Sequence, residues 1–125
     1  METMPLVAVV DDEASVRVAL GRLLRLEGYL VTAFEGGETF LASVMQRMPA
    51  CALLDVNMPG LSGLQVQARL RAERVEIPVI FITGSDDPAI DRLALEAGGL
   101  QVLHKPFGNS ALLTAIKLAL QVPRP

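Results

Sequence analysis

Short, almost wholly apolar runs alternate along the chain with longer stretches in which apolar residues recur every three or four positions. This alternation predicts βα units, because a strand covered on both faces by helices has no polar alternate, whereas an amphipathic helix turns one apolar stripe inward. The runs are Leu6-Val7-Ala8-Val9-Val10, Leu30-Val31-Thr32-Ala33-Phe34, Cys51-Ala52-Leu53-Leu54, Val79-Ile80-Phe81-Ile82-Thr83 and Leu100-Gln101-Val102-Leu103, read as five strands. The first, third and fourth lack polar alternates and are expected at the centre of a doubly covered parallel sheet. The fifth carries Gln101 and is expected at an edge.

Five helices are expected between and after these runs. The first turns Val16, Leu20, Leu23 and Leu24 to one face, leaves Arg17, Arg22 and Arg25 for solvent, and ends at Gly28. The second uses Phe40, Leu41 and Val44 and stops before Pro49. The third has Ser62 as N-cap and pairs Leu64 with Ala68 and Val66 with Leu70. The fourth starts on Asp87 and Pro88, turns Ile90, Leu93, Ala94 and Ala97 inward, and terminates at Gly98-Gly99. The fifth begins after Asn109, carries Leu112, Ala115, Ile116, Ala119 and Leu120, and cannot run through Pro123 and Pro125.

Composition narrows the classes. The 125 residues are 51% hydrophobic, which suits one domain over residues 1–125, with 122–125 a tail or the start of a linker. A formal charge of −3 gives this domain no electrostatic footprint for nucleic acid. No apolar run approaches the roughly 20 residues of a membrane helix. The opening Met1-Glu2-Thr3-Met4-Pro5 lacks the pattern of a signal peptide, so a cytoplasmic protein is expected. Cys51, the single cysteine, opens a buried strand and reads as a small core residue.

Polar residues collect at the ends of the strands: Asp11-Asp12-Glu13 after the first, Asp55 after the third, Thr83 at the end of the fourth, and His104-Lys105-Pro106 after the fifth. Open parallel sheets bind ligands outside their carboxyl edge, where strand order reverses. In the order 2-1-3-4-5 that reversal lies between strands one and three, so Asp11, Asp12 and Asp55 would share a crevice. Carboxylates crowded together require protons or a cation, and an oxygen-only ligand set suits magnesium better than zinc. Lys105 and Thr83 would complete a cradle for a phosphoryl group.

The runs Val10-Asp11-Asp12-Glu13, Leu54-Asp55-Val56-Asn57-Met58-Pro59-Gly60, Ile82-Thr83-Gly84 and His104-Lys105-Pro106-Phe107 resemble the receiver domain of two-component response regulators, and the match spans essentially the whole chain. Pro59-Gly60-Leu61-Ser62-Gly63-Leu64 and Ile77 to Gly84 are most similar to receivers fused to a helix-turn-helix transcriptional output. The resemblance implies a flavodoxin-like doubly wound fold and a signalling domain rather than a metabolic enzyme. It implies Asp55 as acceptor of a phosphoryl group from a sensor histidine kinase or phosphotransfer protein. It implies Mg2+ held by Asp11, Asp12, Asp55 and the backbone carbonyl of Asn57, with Lys105 and Thr83 contacting the phosphoryl oxygens. A cis Lys105-Pro106 peptide is implied too, with Asn57, Gly84 and Ser85 modulating the lifetime of the phosphorylated form. Kinase docking is expected beside Phe107, with Ser15, Val18 and Arg22. A C-terminal DNA-binding domain in a longer chain is implied, and any regulated homodimer is expected on the fourth helix, fifth strand and fifth helix.

One position departs from the family pattern. Three residues before Lys105, where most similar receivers carry a Tyr or Phe that turns inward, this chain has Val102. That keeps open a phosphorylation-independent interaction module. An Asp-based magnesium phosphohydrolase fits less well, since haloacid dehalogenase-like enzymes need Asp-x-Asp after strand one and a cap. Taken singly, Asp11-Asp12 would also serve as a helix cap, Thr83 as a strand closer, Lys105 as a solvated lysine and His104 as a solvent-facing or strand-end residue.

Overall fold

Each apolar run is a strand and each periodic stretch a helix in the computed structural model, which describes residues 4–122. The elements are β1 (Leu6–Val10), α1 (Ala14–Leu26), β2 (Leu30–Phe34), α2 (Gly37–Val44), β3 (Cys51–Asp55), α3 (Gly63–Ala72), β4 (Val79–Thr83), α4 (Pro88–Glu96), β5 (Gln101–His104) and α5 (Asn109–Leu120). The expectations for Met1-Glu2-Thr3 and for a tail or linker over 123–125 lie outside the described residues.

All strands are parallel, in the order β2-β1-β3-β4-β5. Alternation along each strand sends its side chains to two separate cores. Ala8, Val10, Ala52, Leu54, Val79 and Phe81 pack with Phe40, Val66, Leu70 and Ala94 of α2, α3 and α4. Val7, Val9, Cys51, Leu53, Ile80 and Ile82 pack with Leu20, Leu24, Leu112 and Ile116 of α1 and α5. Because both faces are apolar, polarity alternation cannot set the register. The strand ends can, since a one-residue slip would drag Asp55 or Thr83 into hydrocarbon at the cost of a buried, unsatisfied polar group.

Local signals explain the helix boundaries. Ser62 and Gln65 form a reciprocal capping box at the start of α3, with Ser62 Oγ accepting from Gln65 N at 3.2 Å and Gln65 Oε1 accepting from Ser62 N at 2.9 Å. Asp87 caps α4 by accepting from Ala89 N, with Pro88 at the first helical position. Gly28 follows α1 at φ +94°, a left-handed conformation that L side chains rarely adopt.

Some expectations are corrected. Leu93 is 49% exposed rather than inward, because α4 packs on the core through the narrow stripe of Ile90 and Ala94. Arg17 does not face solvent with Arg22 and Arg25: it lies at the start of α1, one turn from β1, and its guanidinium reaches back to the Asp11 carbonyl oxygen at 2.8 Å. β3 runs one residue further than its apolar run suggests, through Asp55, and β5 is shifted by one, leaving Leu100 outside and ending at His104, since backbone pairing continues past the last apolar side chain. α5 begins at Asn109 itself, with Gly108 in the cap position.

Candidate functional site

β1 and β3 are neighbours whose partner strands continue in opposite directions, so the crevice between their carboxyl ends is the point where strand order reverses. Asp11 leaves β1 completely buried. Its N–H donates to Phe34 O at 3.1 Å, its carbonyl accepts from Arg17 Nη1, and its Oδ1 accepts from Glu13 N at 2.8 Å. These bonds fix the carboxylate, whereas Asp12 beside it is exposed. Neither caps α1: the cap position is Glu13, and its side chain makes no capping hydrogen bond.

Asp55 ends β3 with 3% of its surface exposed, and its Oδ1 accepts from Asn57 N at 3.1 Å. The next turn of chain is pressed against it. A Cβ on Gly63 would stand 2.9 Å from the Asp55 carbonyl carbon and 3.3 Å from Val56 Cα, so α3 can start this close to β3 only from a glycine.

Lys105 enters from the far side of the crevice. Its N–H donates to Thr83 O at 2.7 Å, and the Lys105-Pro106 peptide is cis. Its ammonium lies 2.9 Å from Asp11 Oδ2, 3.0 Å from Glu13 Oε1 and 3.4 Å from Asp55 Oδ2. Thr83 is fully buried, and its Oγ1 accepts from Ser85 N at 3.0 Å. Gly84 is exposed, with open space where a side chain would stand.

The crevice is short of positive charge. Three carboxylates, those of Asp11, Glu13 and Asp55, meet the Lys105 ammonium, and the Asp12 carboxylate lies beside those of Asp11 and Asp55. Burial, and then the Asp11 charge, push Asp55 up to about 6, against the opposing pull of the Asn57 N–H and the Lys105 ammonium. Burial works against the charge on Lys105, but its bonds to Asp11 and Glu13 hold it above the usual lysine range. One oxygen each from Asp11, Asp12 and Asp55 lies within 4.8 Å of the others, and the buried Asp11 Oδ2 is faced by the Lys105 ammonium at 2.9 Å. An oxygen-only cluster with a surplus of negative charge fits a hard cation.

The other residues singled out in the sequence fall around this crevice. Val102 is half-buried on β5 opposite Phe81 and packs into the core beneath α4. Phe107 and Ser15 border one groove, with Val16, Leu20 and Leu23. Val18 and Arg22 line a neighbouring shallow depression on α1, with Arg25 and Leu26. His104 lies exposed at the end of β5, as expected, and is also anchored, with Nδ1 3.0 Å from Ser85 O and Nε2 2.9 Å from Asp91 Oδ2. Sequence reasoning missed this contact, and also the parts of Glu13, Arg17 and Gly63. Only Glu13, next to the aspartates, carried a local signal.

The fold and crevice together define a doubly wound α/β protein with a cation-ready acidic site at its switch point. The family profile described as the response regulator receiver domain matches residues 7–117, and the chain belongs to that family. It is 40% identical over 114 residues to the response regulator protein TmoT of Ectopseudomonas mendocina, covering 91% of this chain and 52% of that protein. It is 32% identical over 125 residues to the transcriptional regulatory protein FixJ of Bradyrhizobium diazoefficiens, covering 100% of this chain and 61% of that protein. The crystal structure of FixJ-N superposes with a TM-score of 0.91 at 30% identity, covering 100% of this chain and 99% of that one. The chain spans about half the length of the curated relatives it matches. Among the described residues, no helix is long and apolar enough to cross a membrane.

Proposed function

We propose that this chain is a single receiver domain that accepts a phosphoryl group on Asp55 from the phosphohistidine of a sensor kinase or phosphotransfer protein and passes the change to an output. The observation that carries this reading is the placement of Asp55: a buried carboxylate at a strand end, with one oxygen held by Asn57 N–H and the other facing the Lys105 ammonium. A carboxylate oxygen of Asp55 attacks phosphorus in line, the P–N bond breaks, and the imidazole leaves with the electron pair and takes up a proton. Lys105 then exchanges a carboxylate partner for a phosphoryl oxygen, and the Thr83 hydroxyl donates to another.

Asp11, Asp12, Asp55 and the Asn57 carbonyl would hold Mg2+, which when bound neutralises the transferring oxygens. Asp11, Asp12 and Asp55 carry three carboxylates into one crevice, more negative charge than the Lys105 ammonium balances, which supports this assignment. Asn57, Gly84 and Ser85 border the acceptor and set how readily water reaches the acyl phosphate. The chemistry is limited to the domain's own phosphorylation and slow dephosphorylation. In the full-length protein a C-terminal DNA-binding domain is the proposed output, a reading supported by the name and greater length of the relative FixJ.

The test of the acceptor is chemical. After reaction with phosphoramidate and magnesium, borohydride reduction and peptide sequencing should find homoserine at position 55 only. Reduction at another aspartate would reassign the acceptor. Val102 favours one second reading, a module that binds its partner in the same way whether phosphorylated or not. Equal partner affinity for the phosphorylated and unphosphorylated forms would establish it.

A further inference from the structure

Strand alternation puts Val102 and His104 on the same face of β5, the face covered by α4, and pairing places His104 directly beside Thr83. From there a continuous polar chain leaves the site. Thr83 Oγ1 accepts from Ser85 N at 3.0 Å, Ser85 O lies 3.0 Å from His104 Nδ1, and His104 Nε2 lies 2.9 Å from Asp91 Oδ2 on the first turn of α4. The far end of α4 is held separately, by Gln67 Nε2 and Arg71 Nη1 of α3 donating to Ala97 O at 3.1 and 2.9 Å. α4 is therefore pinned at its C-terminal end. Its N-terminal end follows directly from the loop after β4, where Asp87 N donates to Ser85 Oγ at 3.2 Å, and the His104 imidazole adds the side-chain tie from that loop to Asp91, on the first turn of the helix.

We propose that His104 is the positioning residue that couples Thr83 to α4 in this chain, carrying a shift of the β4–α4 loop onto Asp91. The proposal rests on the receiver reading, since it takes its input from Thr83 moving toward a phosphoryl oxygen. Val102 is too short to connect the two elements by rotating, whereas the imidazole already spans them. Ser85 N and the phosphoryl group both draw on the Thr83 hydroxyl, so movement of Thr83 displaces Ser85, and the carbonyl of Ser85 is the group His104 holds. His104 and Asp91 are 44% and 39% exposed, so this pair adds little to stability and variants at either position should fold.

The experiment records backbone amide shifts of the 15N-labelled chain before and after beryllium fluoride with magnesium, used as the phosphoryl probe. It compares wild type, Asp91→Ala, His104→Asn and Asp91→Asn. His104→Asn keeps a donor for Ser85 O and loses the reach to Asp91, whereas Asp91→Asn keeps an acceptor for the imidazole. All four should respond alike at Asp55 and Thr83. The response over residues 88–96 should fall by about threefold or more in Asp91→Ala and His104→Asn, and survive in Asp91→Asn. A wild-type response of α4 in both Asp91→Ala and His104→Asn would overturn the coupling. No response around Asp55 in the wild type would overturn the receiver reading, and the coupling with it.

Discussion

Lys105 Nζ stands 2.9 Å from Asp11 Oδ2, an oxygen of a carboxylate with no solvent-exposed surface. The ammonium thus supplies a positive charge to both Asp11 and Asp55. Breaking a buried pair by removing one partner costs on the order of 3–5 kcal/mol, and the partial exposure of Lys105 places this case at or below the lower end. Lys105→Ala should therefore lower stability by about 2–3 kcal/mol in chelator. Millimolar magnesium should recover much of that loss, because a bound cation supplies the missing charge. Urea denaturation with and without magnesium checks this, and an equal loss in both conditions would count against a cation in the crevice.

The raised acid strength threshold of Asp55 gives a stability signature with a definite sign. Its folded value of about 6 lies above the ordinary 3.8, so the folded state binds the proton more tightly. The burial cost is therefore fully present above about 6 and is relieved as pH falls through the interval down to 3.8. Asp55→Asn removes the ionisable group while Lys105 keeps Asp11 and Glu13. In metal-free buffer it should be more stable than wild type by about 1–3 kcal/mol at pH 8, with the difference shrinking toward pH 4. A difference that widened on acidification would contradict the assignment.

His104 should titrate above its ordinary value of 6.5. The Asp91 carboxylate is the largest cause, followed by the Ser85 carbonyl, with Asp86 adding a smaller attraction. Because the folded value is raised, stability from this pair is fully present below 6.5 and is lost as pH rises through the folded value. Ring proton shifts followed by NMR should show the midpoint moving down in Asp91→Asn. An unchanged midpoint would mean the pair does not persist in solution.

Gly63→Ala should cost about 1–3 kcal/mol and disturb the acceptor, because its Cβ meets the Asp55 backbone. Gly36→Ala is the control, having open space at the cap of α2, and should cost only the ordinary penalty of alanine at a helix cap, about 1 kcal/mol or less. Thermal melts of the two variants decide whether the contact is as tight as described. Equal melting temperatures would show that α3 yields.

The parts of this molecule legible from sequence are those written in local pattern. Unbroken apolar runs marked β1, β3 and β4, and a polar residue ending each run marked the crevice, because a doubly wound sheet brings those ends together whatever the loops do. Contacts that span the chain were not legible. The Lys105–Glu13 pair joins residues 92 positions apart in the sequence, and His104–Asp91 depends on β5 running one residue beyond its apolar run. Arg17 and Leu93 reversed their expected sides for a similar reason. Helical periodicity fixes which residues share a stripe, but the width of the contact and the reach of a long side chain are set by neighbours distant in sequence.

The central claim is phosphoryl acceptance by Asp55 with the help of a divalent cation, and intact-mass spectrometry after incubation with acetyl phosphate and magnesium tests it most directly. The account predicts one added phosphoryl group on the folded wild-type chain, absent from Asp55→Asn and absent from the wild type in chelator. An adduct that persists in Asp55→Asn, or none on folded wild type under conditions that label another receiver, would contradict it.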